Sequence, residues 1–467
     1  MNGAQWQDKH ILVVGIGRSG YDAARVLHAL GARVTACDSG SPPLAEQLAS
    51  LGVNTLVGWE AGLPTKNYEL VVTSPGVPAD SPILQEAIQE GIPVWSEVEL
   101  AYHLSRAPVI GVTGTNGKST TAALIAHILS TAGYRAVLCG NIAAEGMERT
   151  LTDAAFLSQP EEILVAEVSS FQLEWVHEFR PHVGVWTTLS PDHLNRHSSL
   201  EEYGRTKARL FLRQTEADFA VVPGDDALIL SFMQTRAKYI YFSHKDININ
   251  AQRMVWCDTN GVHFKNEEGV RHLASIEGYQ LRGEHNRRNL AAAVAACLAW
   301  NIASERLEEA ISTFRPLPHR MEWVAEVDGV QYVNNSMCTN LQAVAESLKA
   351  TPAPVVLIMG GVDKSSSPFQ NLVPLLQQKA RGVVLIGEDA QRIESQLREA
   401  GWEHIVRCDS LQEAVLRARN LAYAGDWVML SPGCASFDMF TSFQERGEAF
   451  RRIVRRLEER NERDATS

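Results

Sequence analysis

Residues 113–120, Thr-Gly-Thr-Asn-Gly-Lys-Ser-Thr, follow an apolar run and open a helical pattern. A glycine-rich turn at such a junction aims successive backbone N–H groups at one point, and the helix N-terminus adds partial positive charge there. That is chemistry for phosphate. Lys118 extends it with an ammonium that can reach terminal phosphates, and Ser119 with a hydroxyl that can face magnesium. The strict spacing wants glycine at 112, where this chain has Val112 and places its glycines at 111, 114 and 117 instead, so a nonstandard loop is expected. The segment implies a nucleoside triphosphate; a plain surface turn before an ordinary helix is the bland alternative.

A second glycine-rich turn carries Gly15, Gly17 and Gly20 after the first apolar run. Asp38 closes the next run about 20 residues on, which is the dinucleotide-binding pattern. Alone it suggests a nicotinamide cofactor. Physically, though, it suits any diphosphate at a helix N-terminus with an acidic group near a ribose or base. A substrate tagged with a nucleoside diphosphate accounts for both turns. Glu167 ends the apolar run 163–167, where sheets of this kind hold magnesium, although a solvated strand-end carboxylate is the alternative. Asp192 and His193 follow the run 183–188 on the same sheet edge. Lys207, within 203–209, reads by itself as a solvated helix lysine.

These residues need parallel strands that end on one edge. Runs 11–14, 33–36 and 70–73 around a helix at 21–30 predict an open α/β sheet. Runs 109–112, 163–168, 183–188 and 219–222 predict the centre of a larger sheet, mostly parallel. Residues 239–272 alternate and suggest a small antiparallel insertion. The proline-punctuated stretch 314–320 suggests a hinge, and runs 355–359, 383–386 and 427–430 start a further α/β block. The tail from 444 reads as a charged amphipathic helix.

The fold class is therefore α/β with three domains: a Rossmann-like N-terminal domain (1–104), a central P-loop-type ATPase domain (105–316) and a Rossmann-like C-terminal domain (317–467). The length of 467 residues suits three cores at roughly 150 residues each. A formal charge of −12 argues against a long electrostatic grip on nucleic acid or an anionic membrane. Cysteines at 37, 139, 257, 297, 338, 408 and 434 form no C-x-x-C pair, which fits reduced thiols. No segment has the length and apolarity to span a membrane, and a cytoplasmic location is expected.

Read in order, the segments 113–120 and 167–174, Asp192 with His193, Tyr203 with Lys207, the segment 283–289, residues 317–320 and the segment 430–436 resemble the Mur ligase family. The likeness runs from about residue 10 to 450, and so many motifs in one order are more specific than any one of them. It is strongest to the branch that uses D-glutamate.

The resemblance implies an ATP-dependent amide ligase that works through an acyl phosphate. UDP-N-acetylmuramoyl-L-alanine, D-glutamate and ATP would be its substrates, with magnesium at two sites and a monomer as the working form. An acceptor such as L-glutamate is the alternative within the family. It further implies ATP contacts at Gly114, Thr115, Asn116, Gly117, Lys118, Ser119, Thr120, Asn286, Asn289, Arg320 and Asn335. Gly15, Ile16, Arg18, Ser19, Asp38, Ser74, Gly76, Asn141 and His193 match the UDP-substrate contacts. Thr339, Lys364, Ser436 and Phe443 match the contacts to the amino acid. Metal ligation falls to Ser119, Glu167, His193 and Lys207, the last as a carbamate, and catalysis to Lys118, His193 and Lys207.

Three positions depart from the family's pattern. Asn335 stands for the usual Asp, Met337 for a phosphate-side lysine, and Gly40 for an arginine that often packs on the uracil. Met337 brings no charge, which motivates a nucleotide-binding protein without catalysis as a competing reading, beside a nicotinamide oxidoreductase built on the first glycine turn.

Overall fold

The computed structural model describes residues 5–65, 67–142, 149–193, 196–247, 249, 251–281, 283–300, 302–351, 354–363 and 367–465, with side chains as far as 459. The described residues form three sheets. In the first, β1 (His10–Val14), β2 (Arg33–Asp38), β3 (Asn54–Val57), β4 (Leu70–Thr73) and β5 (Val94–Ser96) are all parallel in the order β3-β2-β1-β4-β5. The order reverses between β1 and β4. The carboxyl ends of those strands therefore open a crevice, the usual place for a ligand in such a sheet.

The second sheet contains β6 (Val109–Thr113), β7 (Arg135–Gly140), β8 (Glu162–Glu167), β9 (Val183–Trp186), β10 (Phe219–Pro223), β11 (Lys238–Ser243), β12 (Met254–Cys257), β13 (Val262–Asn266) and β14 (Gly269–Ala274). Its order is β14-β13-β12-β11-β10-β9-β6-β8-β7. The expected separate insertion at 239–272 is instead a continuation of this sheet. β11 and β12 add to it in parallel, and at the edge β13 runs antiparallel to both β12 and β14. A partly exposed strand such as β11, with every second side chain buried, alternates like a hairpin strand even where its pairing is parallel.

The third sheet has the order β15-β16-β20-β17-β18-β19. Its strands are β15 (Glu322–Val327), β16 (Val330–Asn334), β17 (Val355–Gly360), β18 (Ala380–Ile386), β19 (Ile405–Arg407) and β20 (Trp427–Leu430). All pairs are parallel except β15 with β16. β17 is buried along its whole length, as a central strand covered on both faces must be.

Contacts group the chain into two compact units, one with the first two sheets (1–278 and 288–314) and one with the third (279–287 and 315–467). Within the first unit, two carboxylates on the helix Glu97–Leu104 join the sheets. Glu99 is fully buried and accepts the backbone N–H groups of His177, Glu178 and Phe179 at 2.8, 2.7 and 3.0 Å. Glu97 accepts Gln172 Nε2 at 2.7 Å. The boundary near 105 thus lies beside a buried polar joint, inside one unit.

Candidate functional site

β6 delivers the chain to the loop 114–117, and the helix Lys118–Thr131 follows with Gly117 at its N-cap, φ +85°. Gly114 (φ +146°) and Gly117 are glycines for a steric reason as well. A Cβ on Gly114 would lie 2.0 Å from Thr187 Oγ1, and one on Gly117 would lie 2.4 Å from Asn289 Oδ1. The loop leans on the chain after β9: Thr115 N–H donates to Thr188 O at 2.9 Å, and Asn116 N–H donates to Thr188 Oγ1 at 2.9 Å. Those two amides are therefore used within the protein. The first-turn amides of the following helix have no intrahelical acceptor and face the loop's mouth. Lys118 Nζ donates to Thr115 O at 2.9 Å, which holds the ammonium against the loop. Ser119 and Thr120 are buried.

Glu167 ends β8, in register with Val112 of β6, so it emerges beside this loop. It is buried, and its Oε2 has no hydrogen-bond partner. Asn141 donates its N–H to Glu167 O at 2.9 Å, so the structure places Asn141 next to Glu167.

Lys207 is the surprise to its solvated reading: it is 1% exposed. Its Nζ donates to Gly114 O at 2.9 Å and lies 4.3 Å from the centroid of the Tyr203 ring. Burial, reinforced by the charge of Lys118, pushes its pKa well below the ordinary lysine value, against the opposing pull of Asp192 and Glu167. Burial of this kind favours the neutral amine over the ammonium. His193 sits on the loop after β9 at φ +53° with an exposed ring 4.9 Å from that of Phe171. Among the described residues no three His, Cys, Asp or Glu side chains form a metal cage.

In the first sheet, a cavity of about 570 Å³ opens at the switch point, its wall including Gly15, Arg18, Ser19, Asp38, Ser74 and Gly76. Ser74 Oγ donates to Gly15 O at 2.7 Å and fixes the turn. Gly17 caps the helix Arg18–Ala29 with no side-chain hydrogen bond, which leaves its amide end open to an anion. Ile16 is fully buried between Gly15 and Gly17, with its N–H donated to Asp38 Oδ2 at 2.6 Å.

In the second unit, Asn335 is buried and its amide donates to Ser347 Oγ at 2.8 Å and Ser431 Oγ at 3.1 Å, while Oδ1 accepts Met321 N–H at 3.1 Å. Both amide hydrogens are therefore engaged inside its own sheet, and only one Oδ1 lone pair is left for a ribose. Met337 N–H donates to His319 O at 3.1 Å. Thr339 is exposed, Ser436 is buried, and Phe443 is half-buried at the start of the helix Phe443–Ala465. Asn286 and Asn289 are buried on the helix Glu284–Cys297, and Arg320 is half-buried. Lys364 lies outside the described residues.

Family profiles match in the order of the three sheets. The Mur ligase MurD-like N-terminal domain matches residues 9–96, the Mur ligase middle domain 112–297, and the Mur ligase glutamate ligase domain 319–434. The UDP-N-acetylmuramoylalanine--D-glutamate ligase of Pelotomaculum thermopropionicum is 41% identical over 452 residues, covering 96% of this chain and 97% of that protein. This chain belongs to the Mur ligase family. The enzyme of the same name from Koribacter versatilis is 36% identical over 97% of this chain and 99% of its own. In fold, the Mur ligase resembles the UDP-N-acetylmuramate-alanine ligase MurC of Thermotoga maritima, with a TM-score of 0.59 at 18% identity over 97% of this chain and 99% of that one. Among the described residues of this Mur ligase no helix is long and apolar enough to cross a membrane.

Several side chains around these sites escaped sequence reasoning. His197 is buried, with Nε2 3.0 Å from Ser170 Oγ, and burial pushes its pKa down to about 4. Arg196 pairs with Glu174 at 2.6 Å and donates to Val77 O at 2.8 Å, tying the second sheet to the cavity wall of the first. Arg446 is buried and bonds Ser336 and Cys434 O, holding together the two loops that carry Thr339 and Ser436. None of them stands in a motif by spacing, because each is defined by partners far away in the chain.

Proposed function

We propose that this chain is the ATP-dependent ligase that joins D-glutamate to UDP-N-acetylmuramoyl-L-alanine, in the cytoplasmic assembly of peptidoglycan precursors. The observation that carries this reading is the 41% identity to a ligase of that name over nearly the whole of both chains.

The residues suit the chemistry. The substrate carboxylate attacks the γ-phosphorus of ATP, the bond to ADP breaks, and an acyl phosphate forms. The glutamate nitrogen then attacks the acyl carbon, phosphate leaves, and the amine's proton passes to solvent. Several anions must crowd together in the first step, so fixed positive charge is what lowers its barrier. Lys118 and the helix amides after Gly117 supply it. Magnesium fits the donors present: Glu167 has a buried oxygen without a partner, and Ser119 lies in the first turn of the adjacent helix. Magnesium is commonly held by one or two carboxylates together with substrate phosphates and water, so the lack of a closed cage is no obstacle. Bound there, it would neutralise phosphate charge. A second site would use His193 and a carbamate on Lys207. In its neutral form, which burial favours, the Lys207 amine can add to carbon dioxide, forming an N–C bond and releasing one proton.

The cavity of the first sheet takes the UDP moiety, with the diphosphate at the open end of the helix Arg18–Ala29. Thr339, Lys364, Ser436 and Phe443 receive the glutamate, and the working form is a monomer. The deciding experiment measures phosphate release with UDP-N-acetylmuramoyl-L-alanine and D-glutamate, L-glutamate or another amino acid supplied separately. Release is expected with D-glutamate; activity only with a non-glutamate acceptor would overturn the proposal.

A further inference from the structure

The two ends of the cavity in the first sheet differ in chemistry. One end carries Gly15, Arg18 and Ser19 at the start of a helix, which suits a diphosphate. The other is bounded by Asp38 and Ser39 at the end of β2 and by Trp59 just after β3, where a nucleotide bound this way places its ribose and base.

Asp38 is taken up in the turn, with one acceptor lone pair left on each oxygen. Its Oδ2 accepts Ile16 N–H at 2.6 Å and its Oδ1 accepts Gly40 N–H at 2.8 Å, so the carboxylate folds the turn. Gly40 has no side chain to lay over a ring.

Trp59 is fixed at this end by its own backbone and by its indole. Its N–H donates to Asp38 O at 2.9 Å, and the preceding Gly58 N–H donates to Gly40 O at 3.0 Å. The indole Nε1 donates to Gly62 O at 2.9 Å. The ring also packs against the apolar cluster of Leu12, Val14, Cys37 and Ile83. With its one polar atom satisfied and its position held from three sides, the indole presents a rigid apolar face on a nucleotide-sized cavity. Such a face binds a planar base by stacking.

We infer that Trp59 is the platform on which the uracil of the UDP-linked substrate stacks, doing at this wall what the absent side chain at Gly40 cannot. This rests on the reading of the cavity as the UDP site.

The test compares the full-length protein with Trp59→Leu and Trp59→Phe, both of which keep an apolar group in the cluster. The probes are UDP and 5,6-dihydrouridine diphosphate, whose saturated ring keeps the polar edges of uracil but is no longer flat. Calorimetry gives the affinities, and ATP binding serves as the control for folding. The wild type is expected to prefer UDP about tenfold or more. Trp59→Phe should keep most of that preference, and Trp59→Leu should lose it, with a raised KM for the UDP substrate at nearly unchanged kcat. If Trp59→Leu keeps the preference, or the wild type binds both probes alike, the stacking role is overturned and the UDP site stands. If the wild type binds neither probe, the UDP reading of the cavity falls and the Trp59 role with it.

Discussion

Lys207 Nζ lies 2.9 Å from the carbonyl oxygen of Gly114, so a fully buried lysine is anchored to the first residue of the phosphate loop. The cause of its low pKa, first burial and then the charge of Lys118, also suits it to modification. Only a neutral amine attacks carbon dioxide, and a lysine with an ordinary pKa would be almost wholly protonated at pH 7. Lys207→Ala is expected to slow ligation about a hundredfold or more. Formate or acetate should restore part of the rate by placing a carboxylate where the proposed carbamate would stand. No recovery at any concentration, measured by phosphate release, would count against the carbamate.

Gly117→Ala should harm both the fold and the nucleotide site. Its φ of +85° is left-handed, which costs an L-residue roughly 1–2 kcal/mol. The added methyl would also push Asn289 Oδ1 from 2.4 Å. A lower melting temperature and a weaker ATP affinity are expected together. A variant with unchanged ATP affinity would show that Asn289 and this turn are not set by each other.

The glycine turns and the central strands were legible because each is a local pattern. Buried parallel strands read as apolar runs, and left-handed turns read as glycine. β3 was not, since it is an edge strand with exposed ends and too few apolar residues to leave a run; β7 carries the apolar run 136–139, which sequence reasoning missed. Lys118 and Ser119 could be found by spacing. Glu97, Glu99, Trp59 and Arg196 could not, because their meaning lies in contacts with residues far along the chain. Lys207 is the sharpest case: its sequence context reads as a solvated helix, and only the resemblance to a family pointed inward.

Lys118→Ala should separate the two nucleotide functions. Lys118 opens the helix that follows the loop of the second sheet, while the cavity proposed for UDP is walled by residues of the first. Acyl-phosphate formation is expected to fall by about a hundredfold or more, as for loss of a group that stabilises developing charge. UDP affinity should stay within about twofold, well inside a ΔΔG of 1 kcal/mol. Parallel loss of both would mean that the phosphate loop also shapes the UDP cavity.

Glu97 gives a pH dependence whose sign can be worked out. It is buried between the two sheets, with Oε1 on Gln172 and Oε2 without a partner. Burial raises its pKa from 4.5 to about 7, partly offset by Gln172 and by the nearby Ser19 hydroxyl. The folded state thus binds this proton more tightly than the unfolded chain does, so the group's contribution to stability is fully present below pH 4.5. It is lost as pH rises through about 7, where the folded protein must hold a buried anion. Glu97→Gln keeps the shape and the hydrogen-bonding edge without the titration. Melting temperatures followed from pH 5 to 9 should fall with pH more steeply for wild type than for the variant. Because Ser19 lines the cavity proposed for UDP, the same variant should flatten the pH dependence of KM for the UDP substrate over this range. Parallel melting curves for the two proteins would mean that Glu97 is already ionised at neutral pH and that the joint is held by charge.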